Sequence, residues 1–96
     1  MVEATRHVLA TDAHAGEVAI VTGGGTGIGR ATAREFVRTG ARVAICGRRR
    51  EPLAEVATEL GDACLAVPCD VREPTQVSAF LDAVGDRFDR VDHLIC

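Results

Sequence analysis

Ninety-six residues suffice for one small domain with a single core. Apolar residues make up 47%, too many for a disordered chain, and with three Phe and no Tyr or Trp that core must be aliphatic. A net charge of -3 argues against a nucleic-acid partner, and the apolar runs fall far short of the ~20 residues that span a membrane.

Residues 1–16 are polar, mixed and without a period, and they read as a flexible leader to a globular unit over 17–96. They lack the apolar stretch of a secretory signal, so a cytoplasmic protein is expected. Val18-Ala19-Ile20-Val21 is a short continuous apolar run that ends in glycines, as a strand buried on both faces does. Ile28 to Thr39 is a helix closed by Gly40, with Ala33, Phe36 and Val37 on one face. Arg30, Arg34 and Arg38 recur every fourth residue and make its wet face. A second strand follows at Val43 to Cys46. Pro52 then lies in the first turn of a helix whose Leu53, Val56, Ala57 and Leu60 form a core-facing stripe, stopped by Gly61.

Cys64 to Val67 gives a third strand. Pro74 starts a third helix with the stripe Val77, Phe80, Leu81, Val84 and Phe88, and Val91 to Cys96 reads as a fourth strand. Strand and helix alternate with short links. The fold class expected is therefore α/β, the first half of a Rossmann-type, doubly wound parallel sheet of four strands and three helices. A central parallel strand with nothing after it leaves an open edge, which suggests a piece of something longer. Cys46, Cys64, Cys69 and Cys96 form no C-x-x-C pair and read as buried free thiols. His7, His14 and His93 are scattered, so no metal site is expected.

The run Thr22-Gly23-Gly24-Gly25-Thr26-Gly27-Ile28-Gly29 joins the first strand to the first helix. Such a junction offers unpaired backbone N–H groups and the positive end of the helix dipole to an anion. Glycines let a pyrophosphate approach without meeting a Cβ. A P-loop would need Lys and Ser or Thr after Gly29, where the chain has Arg30 and Ala31. The G-x-G-x-x-G register fails in every frame, and a methyltransferase loop would want an acid where Val21 stands. What fits is T-G-x-x-x-G-I-G, with glycines at 23, 27 and 29.

That pattern resembles the short-chain dehydrogenase/reductase family, and its wording is similar to the 2,4-dienoyl-CoA and enoyl-CoA reductase-like branch. The resemblance covers residues 17–96 and implies hydride transfer with a nicotinamide dinucleotide. It assigns the loop contacts to Gly23, Gly25, Thr26, Gly27 and Ile28. At the end of the second strand, NAD-preferring relatives carry an Asp where this chain has Gly47. Without that carboxylate, Arg48 and Arg49 can meet a 2′-phosphate, and Arg48 can pair with it bidentately. NADP is therefore expected over NAD. Arginines are otherwise disfavoured at a helix N-terminus, where the dipole opposes positive charge. Against this, Thr26 stands where many NADP-preferring relatives carry a basic residue. After the third strand, the resemblance gives Asp70 the adenine amino group and Val71 a backbone contact to the ring. Asp70 can equally serve as an Asx-type cap ahead of the Pro74 helix.

The family's proton relay uses Ser, Tyr and Lys, with an Asn after the fourth strand. This chain has no Tyr and no Lys, and its only Ser, Ser78, lies on the third helix, so no catalytic residue is assigned. His93 reads as a packing or surface residue. Two readings stay open: the cofactor-binding part of an NADP-dependent oxidoreductase, inactive by itself, or a non-catalytic dinucleotide-binding or sensing module. Substrate contacts and homo-oligomers are expected only of a longer protein.

Overall fold

The computed structural model describes residues 12–96. The strands are β1 (Val18–Thr22), β2 (Arg42–Gly47), β3 (Cys64–Pro68) and β4 (His93–Ile95). The helices are α1 (Gly27–Arg38), α2 (Arg50–Leu60) and α3 (Pro74–Phe88), with a 3-10 turn at Gly61–Ala63. All strand pairs are parallel, in the order β3-β2-β1-β4. The chain thus winds outward from β1 to β3, then crosses back to place β4 on the other side of β1. This is the expected α/β architecture, and its switch point lies between β1 and β4, where open sheets of this kind bind ligands.

The apolar runs become strands because both of their faces are covered. On one face Ala19, Val21, Val43 and Ile45 pack against Ala33 of α1 and Leu53 and Val56 of α2. On the other, Val18, Ile20, Ala44 and Cys46 meet Phe80, Val84 and Phe88 of α3. Alternate residues of one strand therefore feed two cores. Thr39 is buried and its hydroxyl donates to the carbonyls of Glu35 and Phe36, at 2.9 and 3.0 Å, while Gly40, with φ of +97°, turns the chain out of α1.

Several expectations need correction. Leu81 lies on the flank of α3 and is 49% exposed, so the buried stripe narrows to Val77, Phe80, Val84 and Phe88. The fourth strand is shorter than Val91 to Cys96. Asp92 donates its backbone amide to the Val18 carbonyl, while its carboxylate takes the Val18 amide, both at 2.8 Å, so the strand ladder begins only at His93. Three thiols are buried as expected, but Cys96 is exposed. Of the leader, residues 1–11 lie outside the described residues. Residues 12–16 form a turn in which Ala15 donates to Asp12 and His14 donates to the Thr39 carbonyl. Among the described residues, no helix is long and apolar enough to cross a membrane.

Candidate functional site

The glycine loop leaves β1 at the switch point and turns directly into α1. Gly23 and Gly27 hold φ of +67° and +57°, a region that side-chain-bearing residues seldom adopt. A Cβ at either position would meet nothing within 4 Å, so bare backbone faces open space there. Gly29 is required for the opposite reason. A Cβ on it would stand 2.1 Å from the Gly23 carbonyl oxygen, so the start of α1 rests directly on the loop. The three glycines of the spaced pattern are thus two that turn and one that packs. The Gly23 and Gly24 amides are fixed by the Cys46 carbonyl at 2.8 and 3.3 Å, tying the loop to β2. Thr26 caps α1 with extended backbone and no side-chain bond, and the first turn holds no acid, so the dipole's positive end is not answered by the protein.

Three adjoining cavities make one groove over the carboxyl ends of the strands. The first, about 380 Å³, is lined by Thr22, Gly23, Gly47, Arg48 and the Cys69–Arg72 segment. The second, about 290 Å³, shares Gly23, Gly47 and Arg48 and adds Gly25, Thr26, Arg49, Pro52 and Leu53. The third, about 370 Å³, runs past Thr26 and Gly27 between Arg30 and Arg49. The structure therefore brings Gly23, Gly25, Thr26, Gly27, Arg48, Arg49, Asp70 and Val71 to one groove. Ile28, 87% exposed, is not among the residues that line these three cavities. An elongated anion fits the middle of this groove: backbone glycines at its centre, Arg48 and Arg49 just before α2, and carboxylates at both ends, Asp70 at one and Glu51 and Glu55 at the other.

Asp70 is more occupied than its spacing shows. Its carboxylate accepts from the Arg72 amide at 3.0 Å and from the Arg72 guanidinium at 3.0 and 2.9 Å. The Arg72 side chain, then its amide, hold the Asp70 carboxyl down at about 2, with Arg48 adding a smaller attraction. The bond to the Arg72 amide is the Asx turn considered above, and the Asp70 amide donates to Gln76 Oε1 at 2.8 Å. Sequence reasoning missed Arg72, Gly47, Thr22, Cys69, Pro52 and Leu53 as lining residues. Adjacency to named positions was a usable signal for the first four, whereas Pro52 and Leu53 arrive only through the packing of α2. Burial pushes the Cys46 thiol, enclosed in the core at the end of β2, up to about 11, so it stays protonated at neutral pH.

At the opposite end of the sheet, His14 and His93 both hydrogen-bond to Glu17, a meeting that separations of up to 76 positions conceal.

A family model described as short chain dehydrogenase matches residues 17–96. A probable 2,4-dienoyl-CoA reductase of Caenorhabditis elegans is 41% identical over 87 residues, covering 86% of this chain and 28% of its own length. Among solved structures, a 3-ketoacyl-(acyl-carrier-protein) reductase from Brucella melitensis complexed with NADH superposes with a TM-score of 0.82 at 40% identity. That match covers 83% of this chain and 33% of the other. The C-domain of a bacterial malonyl-CoA reductase with NADP gives a TM-score of 0.79 at 29% identity, over 88% of this chain and 15% of that one. The chain thus spans a third or less of the length of these relatives.

Proposed function

Because the chain belongs to the short-chain dehydrogenase family of oxidoreductases, we propose that residues 17–96 are the cofactor-binding part of an enzyme that uses NADP(H) in preference to NAD(H). The observation that carries the preference is the position of Arg48. It follows Gly47 at the end of β2 and lines both of the first two cavities, the one that holds Asp70 and the one that holds Gly25 and Thr26. No carboxylate occupies the strand end to repel a 2′-phosphate. Arg49, lining the second and third cavities, supplies a second cation on the same side.

In this reading the backbone at Gly23, Gly25, Thr26 and Gly27 receives the pyrophosphate, Arg48 and Arg49 the 2′-phosphate, and Asp70 and Val71 the adenine. Asp70 has accepting capacity left after Arg72, since a carboxylate offers about four lone-pair sites. The bound dinucleotide would supply or accept the hydride. Tyr and Lys are absent from these residues, so they bind and orient the cofactor and do not turn it over. Hydride transfer to a carbonyl or enoyl substrate is proposed for a protein that adds the family's relay. The alternative is a non-catalytic dinucleotide sensor. Reading the coding frame past Cys96 separates the two: a Ser and a Tyr-x-x-x-Lys within about a hundred codons would establish the enzyme, and a genuine stop would favour the sensor.

Titration with NADPH and NADH tests the preference. Replacing Arg48 by Ala is expected to weaken NADPH about tenfold or more, as for loss of a charge-assisted pair, and to leave NADH nearly unchanged. An equal loss for both cofactors would overturn the assignment.

A further inference from the structure

Three potential ligands converge at the end of the sheet opposite the glycine loop. His14 belongs to the turn before β1, Glu17 immediately precedes β1, and His93 opens β4. His14 Nδ1 lies 2.7 Å and His93 Nε2 2.9 Å from the same oxygen, Glu17 Oε1, and one donor atom from each residue falls within 4.8 Å of the others. We propose that His14, Glu17 and His93 form a three-ligand site for a divalent transition ion of the zinc, cobalt or nickel class, with water completing its shell.

Two imidazoles and one carboxylate are the donor set that such borderline ions take, with an open position left over. Bonds of about 2.0–2.2 Å around a tetrahedral ion put the donor atoms roughly 3.3–3.5 Å apart. The two contacts to Glu17 need to open by roughly 0.4–0.8 Å, a small rotation for side chains that are each about a third exposed. The ion would bind the ring nitrogens that now face the carboxylate, His14 Nδ1 and His93 Nε2, with each neutral imidazole carrying its one proton on its other ring nitrogen.

The scaffold around the cluster is held firmly. The His14 amide donates to the Thr39 carbonyl at 2.8 Å, and the Glu17 carbonyl accepts from Arg42 at 3.0 Å. His93 is held opposite Ala19 in the sheet. The Phe36 ring lies 5.1 Å from the His14 ring and 5.2 Å from that of His93, so one aromatic side chain orients both imidazoles. Arg90 and Asp92, the charged neighbours that act on Glu17 and His93, pair with each other at 2.7 Å. Their charges cancel and the Glu17 carboxylate remains to balance a cation. A bound ion would clip the turn before β1 and the head of β1 to β4, with Glu17 and His93 76 positions apart in the chain.

The test is a titration of the chelator-treated 96-residue chain with Co²⁺ in a non-thiol reductant, followed by visible absorption, with circular dichroism for folding and melting. The expected result is saturable binding of one ion per chain, displacement by Zn²⁺, and a Tm that rises with Zn²⁺ concentration. His14→Ala and Glu17→Gln should each weaken binding by at least about tenfold. His14→Ala lies outside every strand, so it remains a fair test should Glu17→Gln fail to fold. Cys96→Ser should leave binding intact. The proposal is overturned by no saturable binding below millimolar Co²⁺, by unchanged binding in folded His14→Ala, or by a sulfur-to-cobalt charge-transfer band that Cys96→Ser removes.

Discussion

A single methyl group at position 29 would collide with the Gly23 carbonyl oxygen, with neither backbone free to yield. Gly29→Ala is therefore expected to destabilise the fold by about 1–3 kcal/mol, the scale of overpacking, or to displace the loop. Urea denaturation together with cofactor titration would show which; an unchanged midpoint with unchanged binding would refute the packing role. The thiols offer a second residue-scale check. Burial raises Cys46 and Cys64 to about 11 and Cys69 is also enclosed, whereas Cys96 is exposed. A thiol reagent should label one cysteine quickly in the native chain and the other three only on unfolding. At this scale the sequence was most readable where chemistry depends on neighbours along the chain. The glycine spacing and the Arg48 position needed no tertiary information. Asp70 was half readable, since its Asx turn is local but its Arg72 clamp depends on side-chain placement. The grouping of His14, Glu17 and His93 could not be read, because it arises from β1 and β4 pairing across the sheet.

The arginine face of α1 acts between elements. Arg30 Nη2 reaches Glu59 Oε1 on α2 at 3.0 Å, Arg34 adds a second fork to the same carboxylate, and Arg30 stands 3.7 Å from Glu55. The repeat of arginines every fourth residue was legible as a wet face, but its partner helix was not. Hydrogen bonds from Arg34 and then Arg30 hold the Glu59 carboxyl at about 2, down from 4.5. A carboxyl whose folded value is lowered contributes stability that is complete above its unfolded value and is lost as pH falls through the folded one. The stability difference between the native chain and Glu59→Gln should accordingly be constant above pH 4.5 and shrink towards zero as pH approaches about 2. Urea midpoints across that window would measure it, and a difference independent of pH would remove the latch from the account. On the other face, α3 relies on apolar contact. Phe80→Ala, at a position only 3% exposed, should cost about 3–5 kcal/mol by thermal or chemical denaturation.

For the molecule as a whole, alternation of short apolar runs with amphipathic stripes was enough to establish a parallel α/β sheet. The side of β1 that β4 takes follows from α3 lying on the face opposite α1 and α2, because a right-handed crossover over that face runs back past β1. Boundaries failed where side chains replace backbone partners, as Asp92 does at the head of β4. Leu81 was misplaced because α3 meets the sheet along a narrow line, which a stripe drawn at helical spacing overestimates. The groove was legible as a set of residues but not as a volume, since Pro52 and Leu53 enter it only once α2 packs beside the strand ends.

The strand order has a temporal consequence during synthesis. Of the four described strands β1 emerges first, and it receives a neighbour on one side as soon as β2 follows, some twenty residues later. Its other edge stays open until residues 93–95 have been made, after β3 and α3. Closing that gap draws together segments far apart in sequence, an entropic step that slows folding and leaves an aggregation-prone edge exposed meanwhile. Among the described strands, β1 is thus the earliest to be made and the last to be paired on both edges.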